Sequence, residues 1–477
     1  MVARLFLMTV YAVIYLIADY HGIFRRITAY SDQDIILAYN ALLFNEGLPQ
    51  QYFDHTGYVY FLILSTWLKV LQVFGILPIS ALGELTYSQS SYANLEQVIF
   101  AGRYLSIILS ALLATVLFFG MRRFAGSFLI AGIVTLMFAI SPGLSTQVLV
   151  MRTELPAFLF VLTAFFLGVT PPRKSSYIGH LMLFGAAFFV TLGMMTKVQI
   201  VPFAIAFPIL FLIFALLGKR PGKRSSDWEK PDNSGLLAIS LFAISVPAQL
   251  MIWSQVFWSG VEQSTIGGWY QVILALIVIG STIFYSVFLR LQIKQIFLRL
   301  ALVCGGISFA VYFNFFHHSV ENTYIVTNFF EHMSNFTGLN KLNINSGDES
   351  VAWLVNKFSI GLLRAAGQNF DITKIPNQPF VILYWFVLVG GSLALIRRDD
   401  KTAVMSFALL ILSIGMEAFT FLRSSADHYR IFIEVWILIA AGKIVAGMKL
   451  STTPPVYFRR RAVRKIAVGS AFAALII

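Results

Sequence analysis

The sequence predicts an all-α polytopic membrane protein, a bundle of about 12–13 transmembrane helices with surface-lying helices in its first outer loop. Three observations predict it. Hydrophobic residues make up 58% of the 477 residues and charged residues only 12%, too few charges to cover a soluble protein of this length. Apolar runs long enough to cross a hydrocarbon core recur along the whole chain. Basic residues fall in short clusters between those runs. The formal charge of +13 therefore has the pattern of cytoplasmic loops facing anionic lipid, not of a nucleic-acid-binding surface.

The first run, from Leu5 to Ala18, lacks a small-residue cleavage site and reads as a retained span over 3–20. Further spans are expected at 101–120, 126–143, 154–170, 177–196, 198–217, 235–255, 269–289, 298–316, 378–396, 402–422 and 430–448. A final run, 464–477, is short and stops abruptly, as an incomplete span or a truncated terminus would. Segment 58–78 is apolar enough to cross but carries Lys69 in its middle. If it crossed, Arg122 and Arg123 would fall outside, and a cytoplasmic loop 79–96 would carry Glu84 and Glu96 with no Lys or Arg. If it lies along the surface, the basic clusters at 122–123, 173–174, 219–230, 290–299, 397–398 and 459–465 all fall inside. The positive-inside rule selects the second arrangement, with 58–78 as an interfacial helix in a first outer loop over 21–96.

Metal and thiol chemistry have little to work with. Cys304 is the one cysteine and sits in an apolar run, so the chain forms no internal disulfide. The seven histidines show no HExxH spacing.

Polar groups collect on the outer face. The first loop carries Ser31-Asp32-Gln33-Asp34 and Phe53-Asp54-His55-Thr56-Gly57. The loop before the 154–170 span ends in Arg152-Thr153-Glu154, two spans meet at Lys197-Val198-Gln199, and the last outer turn includes Asp427-His428-Tyr429-Arg430. A long polar loop covers 317–377, with His332, Asn335 and Asp371. Carboxylates number only 22, so Asp32 and Asp34 beside an apolar helix require an explanation. Such a pair can hold a divalent cation, or one member can act as a general base while the other orients it. Ser31 or Asp32 as a helix N-cap is the plainer reading, and the two roles can coexist. Lys197 can meet a phosphate as a compact point charge or snorkel to the interface. Arg152 and Glu154 can simply pair with each other, Arg430 can anchor its span, and Arg103 reads as a structural cation near the outer end of its own. Gln199, Asp54, His428 and Tyr429 complete the candidate pocket.

In their order and spacing these segments resemble the GT-C superfamily of membrane glycosyltransferases, in the protein O-mannosyltransferase and aminoarabinose transferase branch. The likeness is carried by Asp32-Gln33-Asp34 continuing through Ala38-Tyr39-Asn40-Ala41 to Gly47, and by Phe53-Asp54-His55-Thr56-Gly57. It continues through Arg103-Tyr104-Leu105-Ser106, Arg122-Arg123-Phe124-Ala125-Gly126, Ser141-Pro142, Arg152-Thr153-Glu154 and Lys197. The resemblance implies a GT-C-like catalytic domain over 1–448, followed at 449–477 by a basic segment and a short apolar helix. It implies an inverting transferase of the plasma or inner membrane that uses a polyprenyl-phosphate sugar donor and a lipid, glycan or protein acceptor on the non-cytoplasmic side. By that likeness Asp32 is the general base and Asp34 supports it or helps hold a cation. Glu154 is the acidic residue of the second outer loop, and Lys197, Arg430, His55 and Arg152 surround the donor phosphate. His55 stands where the aminoarabinose transferases carry a lysine, which argues against that particular activity. No cofactor is implied with certainty; a divalent cation is compatible.

Two other classes compete. A transporter or lipid flippase would carry polar groups at the bilayer midplane, broken helices or internal repeats, and no clear repeat is present. An O-antigen ligase or polymerase would also have many spans and a large outer loop, but the early aspartate pair fits it poorly.

Overall fold

The computed structural model describes residues 2–26, 31–48, 51, 57–86, 90–169, 176–218, 280, 283, 293–317, 347–375, 378–421 and 427–450. Among these, every regular element is helical and no strand forms. The helices are α1 (Val2–Tyr20), α2 (Ser31–Asn45), α3 (Tyr58–Val73), α4 (Leu82–Thr86), α5 (Ser91–Ala125), α6 (Phe128–Ala139), α7 (Pro142–Ser145), α8 (Glu154–Val169), α9 (Ser176–Thr196), α10 (Val201–Gly218), α11 (Ile293–His317), α12 (Gly347–Asn369), α13 (Val381–Ile396), α14 (Asp400–Thr420) and α15 (Ile431–Leu450). Five segments are long and apolar enough to cross a membrane: Val2–Tyr20, Ser91–Ala125, Ile178–Thr196, Asp400–Thr420 and Ile431–Met448. That is the architecture of a helical membrane protein. Shorter apolar helices, including α6, α8 and α13, pack among them. The spans expected at 235–255 and 269–289, the run 464–477, and His332 and Asn335 lie outside the described residues.

Phe6 of α1 packs on Phe118 and Phe128, while the Ile23 carbonyl just past α1 accepts from Arg103, so α1 runs antiparallel to α5. The turn from α5 to α6 is set by two residues. Gly126 takes the left-handed conformation that closes a helix C-terminus, at φ 70°, and the Ser127 hydroxyl accepts from the Ile130 amide to cap the next helix. Lys443 of α15 lies over the Phe124 ring at 5.1 Å, and Gly447 packs against Asp399 and Thr402. One end of the bundle thus gathers Arg122, Arg123, Lys443 and the α13–α14 turn with Arg397, Arg398 and Lys401.

At the opposite end the chain leaves α1 and later enters α5. Residues 21–96 therefore begin and finish at the same end, and a single traverse by α3 is incompatible with that parity. Instead α3 lies against α2, α5 and α9, burying Tyr58, Tyr60, Phe61, Leu64 and Leu68. The Trp67 indole donates to the Ala101 carbonyl at 2.9 Å, which fixes α3 beside the opening turns of α5. The polar loop expected over 317–377 contains α12. Phe358, Leu362 and Ala365 recur there at helical spacing and face the core.

An aromatic cluster joins the helices that carry the site. Trp436 of α15 is fully buried, with Phe158 and Phe165 of α8 and Phe203 and Phe207 of α10 around it at ring separations of 5.0–6.1 Å. Edge-on and tilted ring pairs of this kind each add about 0.5–1.5 kcal/mol beyond area burial. They hold α8, α10 and α15 side by side, so that the chain just before each helix arrives at one place.

Candidate functional site

Four chain segments converge at the end of the bundle away from the Arg122–Arg123 cluster. The first fastening is built on Asp34, which is fully buried on α2. Its Oδ2 accepts from Arg103 Nε at 3.1 Å and Nη2 at 2.6 Å, and its Oδ1 accepts from the Met151 amide at 2.9 Å. Arg103 Nη1 donates to the carbonyls of Ile23 and Arg25, each at 2.6 Å. The guanidinium fork thereby ties the end of α1, the start of α2 and the body of α5 to the segment leading into α8. Burial pushes the Asp34 carboxyl above its ordinary value; the Met151 amide and Arg103 pull against that shift.

The second fastening is a buried ion pair. Lys197 Nζ lies 2.9 Å from Glu154 Oε1, with both side chains 2% exposed. Glu154 opens α8, where a carboxylate is favoured by the helix dipole. Lys197 stands between α9 and the 3-10 turn Val198–Ile200 that leads into α10. Of the two cations within reach in the sequence, it is Lys197 that forms an ion pair with Glu154, and the alternative partner Arg152 lies within electrostatic reach of Asp34. Arg152 Nε, Thr153 Oγ1 and Gln199 Oε1 are buried with no hydrogen-bond partner among the described residues. Gln199 Nε2 donates to the Tyr429 hydroxyl at 3.3 Å, which joins this pair to the turn that leads into α15. Tyr60 of α3 is completely buried within electrostatic reach of both Asp34 and Glu154, so the two fastenings form one neighbourhood.

A third set adds to Arg430 two carboxylates that the sequence did not single out, Glu434 and Glu417. Glu434 of α15 accepts from the Gly143 amide at 2.8 Å, and Arg430 lies within electrostatic reach of Glu434 and Glu417. Glu417 of α14 accepts from the Asn369 amide at the end of α12. The signal was available, because a carboxylate inside an apolar run is costly and needs a partner. Gly143 is required by closeness: a Cβ there would sit 2.6 Å from Glu434 Oε2 and 2.7 Å from the Ile431 nitrogen.

Asp34, Arg152, Glu154, Lys197, Gln199, Tyr429 and Arg430 are thus brought together. Asp54 and His55 lie outside the described residues, and of Asp32 and His428 only the backbone is described. Asp32 occupies the second position of α2, two residues before the Asp34 anchor. The expectation that Asp34 helps hold a cation meets a difficulty, since its Oδ2 is already held by a guanidinium that would repel one. Among the described residues no group of three or more His, Cys, Asp or Glu side chains is assembled.

Fold and site together define a helical membrane protein with a buried network of ion pairs at one end of its bundle. No family model, no curated protein and no solved structure matches the chain.

Proposed function

We propose that this chain is an integral membrane glycosyltransferase with a GT-C-like bundle, moving a sugar from a polyprenyl-phosphate donor to an acceptor at the non-cytoplasmic face by inverting displacement. One observation carries the reading: Asp34, Arg152, Glu154, Lys197 and Arg430, from four separate segments, meet at the end of the bundle opposite the basic cluster. Basic ends of helical membrane proteins face the cytoplasm, so the meeting point faces the other side. Segment 58–78 then lies along that surface as an interfacial helix, a reading supported by residues 21 and 96 sharing one end of the bundle.

The chemistry needs an acceptor hydroxyl deprotonated while the anomeric carbon–oxygen bond to phosphate breaks. Negative charge builds on the departing phosphate, and fixed cations stabilise that charge more in the transition state than in the ground state. Lys197, Arg152 and Arg430 fill this role. Asp32 acts as the base, on a helix whose start is fixed by the Asp34–Arg103 pair. Phosphate leaves without protonation, so no second acid is required, unlike glycoside hydrolysis. Polar groups concentrated at one end of the bundle support an enzyme of lipid-borne substrates over a transporter.

Asp32→Asn in proteoliposomes supplied with a polyprenyl-phosphate sugar should cut transfer by about 10²–10⁴-fold with the fold intact. Turnover at the wild-type rate would remove Asp32 from the mechanism. Passage of substrate across the bilayer with no covalent product would replace the enzyme with a transporter.

A further inference from the structure

Lys197 is one of the cations assigned to the donor phosphate, yet its ammonium is already in contact with Glu154 at 2.9 Å, and both groups are out of water. A buried pair of this kind persists because each charge compensates the other. A phosphate arriving beside Lys197 while Glu154 stayed in place would set two anions against one ammonium at low dielectric, where like charges repel strongly. The two anions therefore compete for the Lys197 ammonium.

The surroundings point to the same ligand. Arg152 Nε and Thr153 Oγ1, on the two residues before Glu154, are buried with no hydrogen-bond partner among the described residues, as is Gln199 Oε1 two residues past Lys197. Leaving each such group without a partner is costly, and two of them precede Glu154 in the chain while the third follows Lys197. Arg152 Nε and the Thr153 hydroxyl are donors suited to phosphate oxygens. Gln199 Oε1 is an acceptor suited to a hydroxyl. A phosphate carrying a hydroxylated group would satisfy all three.

We infer that Glu154 is a placeholder anion, holding Lys197 in register until the phosphate of a lipid-borne donor displaces it. This rests on the reading of the site as a donor-phosphate site and adds that its empty form is closed by its own carboxylate. Exchange of one anion for another keeps the buried lysine compensated throughout. It also couples donor binding to release of Glu154, whose movement frees the start of α8.

The test uses the full-length purified protein in detergent, with a polyprenyl monophosphate as probe and the matching uncharged polyprenol as control. Binding is read by equilibrium titration and by the shift in melting temperature. Glu154→Gln removes the competing charge, so it should bind the phosphate about tenfold more tightly than wild type and leave polyprenol binding unchanged. Its melting temperature should be lower without probe and should rise further on phosphate binding than that of wild type. If the Gln substitution prevents folding, Glu154→Asp keeps the charge but shortens its reach, and a threefold tightening is expected on the same scale. Equal phosphate affinity in wild type and the folded variant overturns the exchange while leaving a phosphate site in place. A wild-type protein that does not distinguish the phosphate from the polyprenol overturns the donor-phosphate reading and the exchange with it.

Discussion

Arg103 and Asp34, 69 residues apart in the chain, form a fully buried ion pair at 2.6 Å. The remaining guanidinium donors go to the backbone of the α1 exit, at the Ile23 and Arg25 carbonyls. Planar donor geometry matters here, because one side chain bonds a carboxylate and two carbonyls at once. Arg103→Lys should therefore fail to rescue the fold. Breaking a buried pair by removing one partner costs about 3–5 kcal/mol. Both Arg103→Lys and Asp34→Asn should lower the unfolding midpoint in detergent, and the activity of the surviving folded fraction of Asp34→Asn should stay within about a factor of ten, that is, about 1.4 kcal/mol. A stable Asp34→Asn protein with no turnover would make Asp34 a participant in the chemistry instead of a fastening.

The Glu154–Lys197 pair can be reversed. Glu154→Lys alone buries two cations and Lys197→Glu alone buries two anions, so each should cost about 3–5 kcal/mol. The double exchange restores opposite charges. Thermal unfolding of all four proteins should give a coupling of about 1–3 kcal/mol in favour of the double variant. Additive losses would show that the two side chains do not depend on each other.

Gly143 and Glu434 make a joint that tolerates no extra atom. Gly143→Ala drives a methyl group against the Ile431 nitrogen at 2.7 Å and the Arg430 carbonyl carbon at 2.8 Å, which are backbone and cannot swing away. Overpacking of that kind costs about 1–3 kcal/mol. Glu434→Leu leaves the buried Gly143 amide without its acceptor, a loss of about 1–3 kcal/mol. Both should lower the melting temperature, with Glu434→Gln closer to wild type because its amide oxygen still accepts. Wild-type stability in Gly143→Ala would mean that the two segments do not approach as closely as described.

A pH effect is expected at the turn Ile372–Lys374. The Asp371 carboxylate accepts from the Thr373 hydroxyl at 2.6 Å and from its amide at 3.0 Å. The hydroxyl bond first, and the amide bond with it, hold this carboxyl below the ordinary aspartate value. A lowered native value means that the contribution is complete above the unfolded value and is lost as pH falls through the native one. Amide exchange at Thr373 should therefore speed up, beyond its intrinsic pH dependence, only at acid pH. Asp371→Asn should remove that acid-specific change. An unchanged acid-dependent increase in the Asn variant would assign it to another group.

Sequence alone determined the long apolar elements, and physical chemistry says why. A bilayer-length apolar run has few alternatives to a helix, and basic clusters are constrained by the side they face, so α1, α5, α9, α14 and α15 could be read directly. Ser127 and Gly126 mark a turn by local rules. In the sequence the helix over 347–369 reads as part of a polar loop, because the polar residues around Phe358, Leu362 and Ala365 hide their helical spacing. The neighbourhood of Arg152, Glu154, Lys197 and Arg430 could also be anticipated, since scarce charges near one interface must find one another.

Which charge meets which was decided by the tertiary structure. Glu154 has a cation two residues before it and another 43 residues later, and the chain takes the later one. Asp34 is held by Arg103 and the Met151 amide, partners that no local rule selects. Pairing among buried charges depends on where packed helices bring their ends, and here the ring cluster around Trp436 aligns α8, α10 and α15. One-dimensional patterns record which residues leave water; they do not record the distances between them once they have left.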